Sequence, residues 1–324
     1  MGAVDEIWPA EIGASSGLGS MMQRHADRPG CAKIDVHCHS TLSDEYWSKF
    51  PAFRMHPTLT PAELYARAKS RGMTFVTITD HDTIDGCKAF LDERGPTADF
   101  VVGEEVSTRF PSDGMVVHVN VYDHNEAEHR EIHRLAGNIH ELIPYLRSIG
   151  KLFVLNHPTW NKHHQPILPQ RVEEFLELFD VFEGVNGTRT HGHNSPVWSM
   201  LERHRGKVMV AGSDSHTDNV GTTYTEIDAQ AAPPTWPALA SAIRAGRTVL
   251  RGQMGSPAKT VDDMYKFVAF NLQQRLAASH WAINRAGWRV FARVGTLGGA
   301  VGIRLYYRRQ RSLLRTLQPT LPTA

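Results

Sequence analysis

The sequence predicts an α/β fold organised around a parallel sheet. Seven short runs rich in β-branched and aromatic residues occur along the chain, and helical patterns lie between most of them. Strands that alternate with helices are typical of parallel sheets joined by crossover helices. The length of 324 residues and the apolar content of 41% suffice for one large domain with an appendage, or for two ordinary domains. Hydrophobic periodicity alone leaves both a closed barrel and an open doubly wound sheet as solutions.

The predicted strands cover residues 33–36, 74–79, 99–102, 116–122, 152–155, 179–182 and 207–211. The clearest predicted helix lies in the segment TPAELYARAKSRG. Thr60 can cap this helix, Glu63 completes a capping box and Gly72 can end it. Further helices are predicted over residues 84–94, 126–149, 170–178 and 195–205. We expect a break at Pro144, because proline removes a hydrogen bond from a helix interior.

Every predicted strand delivers a potential metal ligand at or near the same end. The first strand leads into IDVHCHSTLSD, where His37 and His39 share one face because side chains two apart in a strand point the same way. The other candidates are Asp44, His81, Glu104, Glu105, His118, His157, Glu183, Asp214 and His216. In barrels, functional side chains gather where the strands end. Even when only one of the three glutamates is counted with the six histidines and two aspartates, nine ligands are too many for one ion, so we expect two or three metal ions, of Zn, Mn or Fe.

The charge divides the chain into an acidic body and a basic tail. Residues 261–324 hold ten Lys and Arg against two Asp and Glu, whereas the whole chain carries a net charge of +1. From Val261 the apolar residues recur four apart, which predicts an amphipathic helix, and IRLYYRRQRSLLRTL repeats this pattern. Such segments can pack on the body, or make peripheral contact with an anionic membrane or an acidic partner.

The cysteine content and the hydropathy of the sequence are the evidence for where in the cell the protein is located. The three cysteines, Cys31, Cys38 and Cys87, form neither a disulfide framework nor a Cys-x-x-Cys pair. The first twenty residues lack the pattern of a signal peptide, and no segment reaches 18 uninterrupted apolar residues. We therefore expect a cytoplasmic protein with no transmembrane span, whose basic tail is a candidate for contact with the inner face of the membrane.

The motifs DVHCHSTLSD, TITDHDTIDG, GEEVST, NHP and GSDSH, with His118 after the third, occur in the order found in the PHP (polymerase and histidinol phosphatase) family. The chain resembles stand-alone members of this family over residues 33 to about 250. The resemblance implies a distorted (βα)7 TIM-like barrel with a trinuclear metal centre at the C-terminal ends of its strands. We therefore expect a metal-dependent hydrolase barrel over residues 31–260, and the sequence pattern adds a loosely ordered lead-in over 1–30 and a basic helical extension over 261–324.

The resemblance also implies which side chains bind each metal ion. One ion is expected on His37, His39, Glu105 and Asp214; a second on the bridging Glu105 with His118 and His157; and a third on Asp44, His81 and His216. Glu105 is preferred to Glu104 because the family's ligand directly precedes the VST motif. Up to three divalent ions of Mn, Zn or Fe are expected, and their identity stays open.

Such a centre implies a hydrolase acting on phosphoric ester bonds. A hydroxide that bridges two metal ions would attack the phosphorus of a small phosphorylated substrate, and the cations would neutralise the growing charge. Arg109 and Arg189 are candidates for a phosphate clamp, because guanidinium matches phosphate in shape and charge. His191, His193 or a metal-bound water could protonate the leaving group. Ordinary surface roles are alternatives for all four side chains.

Three functions remain open at this stage. The first is a metal-dependent phosphoesterase that acts on a small phosphomonoester, a nucleotide or an oligonucleotide end. The second is an amidohydrolase that cleaves a C–N bond, although that chemistry usually uses a bridging lysine where this chain has Glu105. The third is a non-catalytic scaffold whose basic tail recruits a partner, against which the complete set of ligands argues. Fold-level similarity does not decide among substrates.

Overall fold

The computed structural model describes residues 31–43, 55–161, 165–204, 206–229, 235–278 and 308–309. Asp44, the predicted lead-in over residues 1–30 and most of the basic tail lie outside the described residues. The predicted boundaries of the three regions stay predictions.

A six-stranded sheet forms the centre of the described chain. Its strands are β2 (Val76–Ile78), β3 (Phe100–Arg109), β4 (Val116–Tyr122), β5 (Leu152–Leu155), β6 (Val181–Asn186) and β7 (Val208–Gly212), in that spatial order. The pairs β2–β3, β5–β6 and β6–β7 are parallel, whereas β4 runs antiparallel to both of its neighbours. The α/β class is confirmed.

The expectation of a wholly parallel sheet is wrong at β4. Residues 110–115, FPSDGM, connect β3 directly to β4, and Phe110 N donates to Met115 O across a tight turn. Pro, Ser, Asp and Gly are the residues that favour such turns, and a crossover helix needs a much longer connection. β4 therefore folds back as a hairpin.

A second, three-stranded sheet is antiparallel throughout. It contains β1 (Cys31–Ile34), β8 (Thr223–Asp228) and β9 (Thr248–Gly252), in the order β1-β8-β9. β1 begins two residues earlier than predicted, and its partner is β8 rather than a strand of the larger sheet. Neither β8 nor β9 was predicted.

The segment after β1 lies between the two edges of the six-stranded sheet. Cys38 O accepts a hydrogen bond from Thr79 N beyond β2, and His37 O accepts one from Asp214 N beyond β7. His39 N donates to Ser215 O at 3.0 Å. The sheet thus curls around the residues that follow β1, while the seven-unit barrel itself stays a prediction.

The helices are α1 (Pro61–Ser70), α2 (Asp85–Arg94), α3 (Glu126–Leu135), α4 (Ile139–Ser148), α5 (Pro169–Leu178), α6 (His191–Glu202), α7 (Trp236–Arg244) and α8 (Pro257–Ala278). The Thr60–Glu63 capping box of α1 is confirmed. The break expected at Pro144 is wrong, because α3 and α4 separate at residues 136–138 and Pro144 lies inside α4. Asn138 accepts a hydrogen bond from His140 N, which satisfies the new helix start.

The apolar core lies between the sheets and these helices. Val119, Val121, Leu146 and Phe175 are among its fully buried members. In α8, Phe267 is buried, and its ring centroid lies 6.4 Å from that of His216. No helix of the described residues is both long and apolar enough to cross a membrane.

Candidate metal centre

The Glu105 carboxylate is fully buried and is surrounded by five histidines. Its Oε2 lies 2.9 Å from His37 Nε2 and 3.3 Å from the Nε2 atoms of His39 and His81. Its Oε1 lies 3.2 Å from His118 Nδ1 and 3.2 Å from His157 Nε2. Each oxygen therefore faces a different set of imidazoles.

Strand β3 explains why Glu105, and not Glu104, occupies this position. Consecutive side chains of a strand point to opposite faces. Glu105 faces the histidines that follow β1, β2 and β5 and the histidine on β4, whereas Glu104 contacts a different group of side chains on the other face. Glu105 is thus the one of the two neighbouring glutamates that lies among these histidines, and its role as a ligand stays a prediction.

Asp214 adds a second carboxylate beyond β7. Its Oδ1 lies 3.5 Å from His37 Nε2 and 3.4 Å from His39 Nε2. His216 comes close to the same groups, with its ring centroid 4.3 Å from that of His39. Asp214 and His157 both have positive φ, 51° and 29°. Non-glycine residues with positive φ are uncommon and concentrate at functional sites, because the surrounding structure must hold them there.

Backbone and side-chain hydrogen bonds position this group. Asp35 accepts from His37 N and Ser213 N with Oδ1 and from Gly221 N with Oδ2, which ties the segment after β1 to the segment after β7. Asp80 accepts from both the backbone N and the hydroxyl of Ser40. Burial raises the pKa of Asp35 to about 6, although its hydrogen bonds oppose this rise.

Glu183 and Asn156 orient two members of the centre. Glu183 Oε1 lies 2.9 Å from His37 Nδ1, on the side of the ring opposite Glu105, and Glu183 Oε2 accepts from His157 N. Asn156 Nδ2 donates to Glu105 Oε1 at 2.9 Å. Partners of this kind fix the ring orientation and tautomer of a metal-binding histidine. The sequence placed Glu183 at a strand end but did not distinguish an orienting residue from a ligand.

Burial and nearby charges set the protonation states of the carboxylates and histidines in the centre. Burial alone would raise the pKa of Glu105, but the imidazoles of His37, His81 and His118 hold it well below its usual value. Burial also opposes ionisation of Asp214, and the nearby histidines outweigh it and lower that pKa too. Burial lowers the pKa of His118 to about 4 despite the adjacent carboxylate. Burial lowers the pKa of His37 too, but Glu105, Glu183 and Asp214 outweigh it and raise that pKa well above its usual value, so an ion that binds this imidazole would displace a proton.

The donor atoms fit divalent metal ions. Both ring nitrogens of His39, and Nδ1 of His157, are buried and make no hydrogen bond. A buried polar atom without a partner costs about 1–3 kcal/mol, and ligation of His39 by an ion would remove that cost. Imidazole and carboxylate donors are those preferred by Zn, Mn and Fe.

Groups of donor atoms that lie within 4.8 Å of one another include His37, His39, Glu105 and Asp214; His81, Glu105 and His118; and His39, His81 and His216. The first group is the set expected for the first ion. All the predicted ligands that the structure describes are thus brought together. The number and identity of the ions stay predictions.

The residues predicted to contact the substrate differ in how closely they approach the metal centre. The Arg189 guanidinium lies 4.4 Å from the centre of the Trp160 ring, and its Nη2 is 3.8 Å from Asp214 Oδ2. Arg109 is exposed at the last residue of β3, on the same face as Glu105 but four residues farther along. His193 is buried in the first turn of α6, where its Nδ1 lies 3.0 Å from Thr190 Oγ1. Arg189 thus has a contact that connects it to a carboxylate of the centre.

Comparison with known families identifies the C-terminal part of this fold. The PHP-associated family model matches residues 200–248, which contain β7, β8 and α7. The resemblance to the PHP family is confirmed. A 5′-3′ exoribonuclease of Haemophilus influenzae is 33% identical over 84 residues, a stretch that covers 26% of each chain. The match thus spans about a quarter of that relative's length.

Two solved structures are similar at low identity. One is an amidohydrolase from Chromobacterium violaceum with bound sulfate and no metal; it has 18% identity and a TM-score of 0.42, and the match covers 58% of this chain and 89% of the other. The second is a protein from Bifidobacterium adolescentis assigned as a metal-dependent phosphoesterase. It has 17% identity and a TM-score of 0.43, and the match covers 56% of this chain and 87% of the other.

Proposed function

We propose that this chain is a metal-dependent phosphoesterase that hydrolyses the phosphate ester of a small phosphomonoester, a nucleotide or an oligonucleotide end. The observation that carries the proposal is the position of Glu105, whose two oxygens face two different sets of histidines. A carboxylate in this position is suited to bridge two ions. The PHP-family resemblance supports the same activity at the level of the family.

The side chains of the centre supply binding and orientation. His37, His39, Glu105 and Asp214 would hold one ion, His118 and His157 would complete a second with Glu105, and His81 and His216 would serve a third with Asp44. Bound divalent cations supply an activated water and neutralise the charge of a phosphate.

Arg189 is the residue best placed to contact the substrate's phosphate. The Trp160 ring supports its guanidinium from one side, and Asp214 lies 3.8 Å from its Nη2. A planar, permanently charged group held in this way is suited to phosphate oxygens. Arg109 remains a second candidate at the rim. His193 remains the proposed proton donor to the leaving group, with Thr190 orienting its ring.

The proposal is tested by metal content and hydrolysis together. Protein purified without oxygen is analysed by elemental mass spectrometry, and phosphate release is measured from an aryl phosphate, a nucleotide panel and a 5′-phosphorylated oligoribonucleotide. Wild-type protein should bind at least three equivalents of Mn, Fe or Zn and release phosphate, and Glu105→Gln should abolish that release. Glu226→Gln, which alters a carboxylate of the second sheet, is the matched control. A metal-free wild-type protein that stays inert after reconstitution would refute the proposal.

A further inference from the structure

A second cluster of metal-binding side chains lies on the opposite face of β3. Glu104 is fully buried there, although it is the immediate neighbour of Glu105. The contacts of its carboxylate are with His124, His129 and His133. None of these four residues belongs to the candidate metal centre described above.

The geometry of the cluster is compact. Glu104 Oε2 lies 3.0 Å from His124 Nε2 and 2.8 Å from His129 Nδ1, and Glu104 Oε1 contacts His133 Nε2. The donor atoms of Glu104, His124 and His129 all lie within 4.8 Å of one another. Donors bonded at about 2.0–2.2 Å to one tetrahedral ion are roughly 3.4 Å apart. The Glu104–His124 and Glu104–His129 contacts therefore have to open by only about half an ångström to admit an ion, whereas His133 contacts the other oxygen of Glu104 and lies outside this group of donors.

Local structure presents the three histidines together. His129 and His133 are four residues apart on α3, so they lie on one face of that helix. Two histidines at this spacing on a helix are a recurrent zinc-binding arrangement. His124 directly precedes Asn125, which caps α3 by accepting hydrogen bonds from Ala127 N and Glu128 N. The cap thus fixes the position of His124 relative to the helix that carries the other two.

Charge also favours a cation in the cluster. An ionised carboxylate that is fully removed from water is unfavourable unless a positive charge or several hydrogen bonds compensate it. Neutral imidazoles around Glu104 would leave a net negative charge in the interior. The three imidazoles already contact Glu104, and a divalent ion would add positive charge at this position and bind lone pairs of the same nitrogens.

We propose that Glu104, His124 and His129 form a separate structural site for a divalent transition-metal ion, zinc in particular, and that a rotation of the His133 ring completes the set of ligands. Three imidazoles and one carboxylate fill a tetrahedral shell, which is characteristic of sites that hold structure together. The ion joins α3 and the β4–α3 connection to β3. It therefore stiffens the strand whose other face carries Glu105, without touching the reacting groups.

Metal stoichiometry of the full chain tests this site. The double variant His129→Ala, His133→Ala is compared with wild type and with Arg130→Ala, an exposed position on the same helix. Both histidines are partly exposed, 22% and 33%, and alanine favours a helix, so circular dichroism should show a folded protein. The double variant should hold one equivalent of metal less than wild type and than Arg130→Ala. Equal metal content in all three proteins would overturn the proposal and leave a cluster that binds only protons.

A second measurement covers the case in which the double variant does not fold. Protein carrying Glu105→Gln is stripped and reloaded with Co²⁺, with and without Glu104→Gln, which keeps the side-chain volume. The visible absorption of four-coordinate cobalt should be present with Glu104 and lost with Gln. An identical spectrum in both proteins would overturn the proposal. The outcome is independent of phosphate release, so failure of this site and failure of the proposed function are distinguishable.

Discussion

The Glu183 carboxylate holds His37 from the side opposite Glu105, and the same carboxylate accepts from His157 N and Asn186 Nδ2. Glu183→Gln keeps the size of the side chain but replaces one acceptor oxygen by an NH₂ group. We expect the affinity for the first metal ion to fall about 10–100-fold, because the orientation of His37 is no longer fixed.

Competition with a chelator of known affinity measures this change, and Glu226→Gln is the matched control. Glu226 is a similarly buried glutamate, but its partner is Arg251 in the second sheet. Equal metal affinities in wild type and Glu183→Gln would show that Glu183 does not orient a ligand.

The cysteines differ in accessibility. Cys38 and Cys87 are buried, and burial raises the pKa of the Cys87 thiol to about 12, whereas Cys31 is half-buried in β1. The thiolate is the reactive form, so native protein treated with iodoacetamide at pH 8 should be alkylated first at Cys31. All three cysteines should react in denaturant. Peptide mass spectrometry reports the sites, and early labelling of Cys87 would contradict the structure.

At the scale of elements, close approach between β7 and the segment after β1 requires glycine. A Cβ on Gly212 would lie 2.4 Å from His37 Cβ and 2.9 Å from His37 N. We expect Gly212→Ala to lower the free energy of unfolding by about 1–3 kcal/mol and to weaken metal binding, because the His37 segment must move away.

Gly137, between α3 and α4, is the matched position for this test. A Cβ there would meet no atom within 4 Å. Gly137→Ala should change the stability by no more than about 0.5 kcal/mol in urea unfolding. Equal stabilities of the two variants would mean that the strand and the segment tolerate a larger separation.

Local features of the elements could be predicted from the sequence. The capping box at Thr60 and the strands of the larger sheet depend on neighbouring residues, and they are present at or near the predicted positions. The β3–β4 hairpin was missed although Pro111, Ser112, Asp113 and Gly114 favour a turn, because the expected alternation of strands and helices outweighed that signal. β8 and β9 were missed because their pairing depends on partners far along the chain.

The same distinction applies to the candidate site. The strand-end pattern identified the histidines and carboxylates that the structure brings together. The orienting contacts could not be predicted, because the Glu183–His37 pair joins residues 146 positions apart. Such a contact depends on strand register and ring orientation, and single-sequence patterns carry no information on either. The sequence pattern gives Glu104 only as an alternative to Glu105, because the partners of Glu104 lie on α3 and directly before its cap.

At the scale of the whole molecule, the centre places buried carboxylates close together. Glu105, Glu183 and Asp214 are all at most 4% exposed. Cations that bind only the folded state stabilise it by about 2.7 kcal/mol when their concentration is 100 times the dissociation constant. We expect the melting temperature to fall after treatment with a chelator and to recover when Mn²⁺ or Zn²⁺ is restored.

Differential scanning calorimetry measures this shift. The Glu105→Gln variant is the control, because it lacks the bridging carboxylate and should respond less to metal. A melting temperature that is the same with metal and with chelator would contradict metal binding to the folded chain.

The segment after β1 has a further consequence for how the protein is made. Its backbone partners lie beyond β2 and beyond β7, and Asp35 bonds to Ser213 across 178 positions of the chain. On the ribosome, His37 and His39 therefore emerge long before the carboxylate of Asp214. Closing so long a loop is slow, and it requires most of the intervening strands to be in place. The centre is completed late in biosynthesis, so the nascent chain passes through a stage in which His37 and His39 are open to any metal ion in the surroundings.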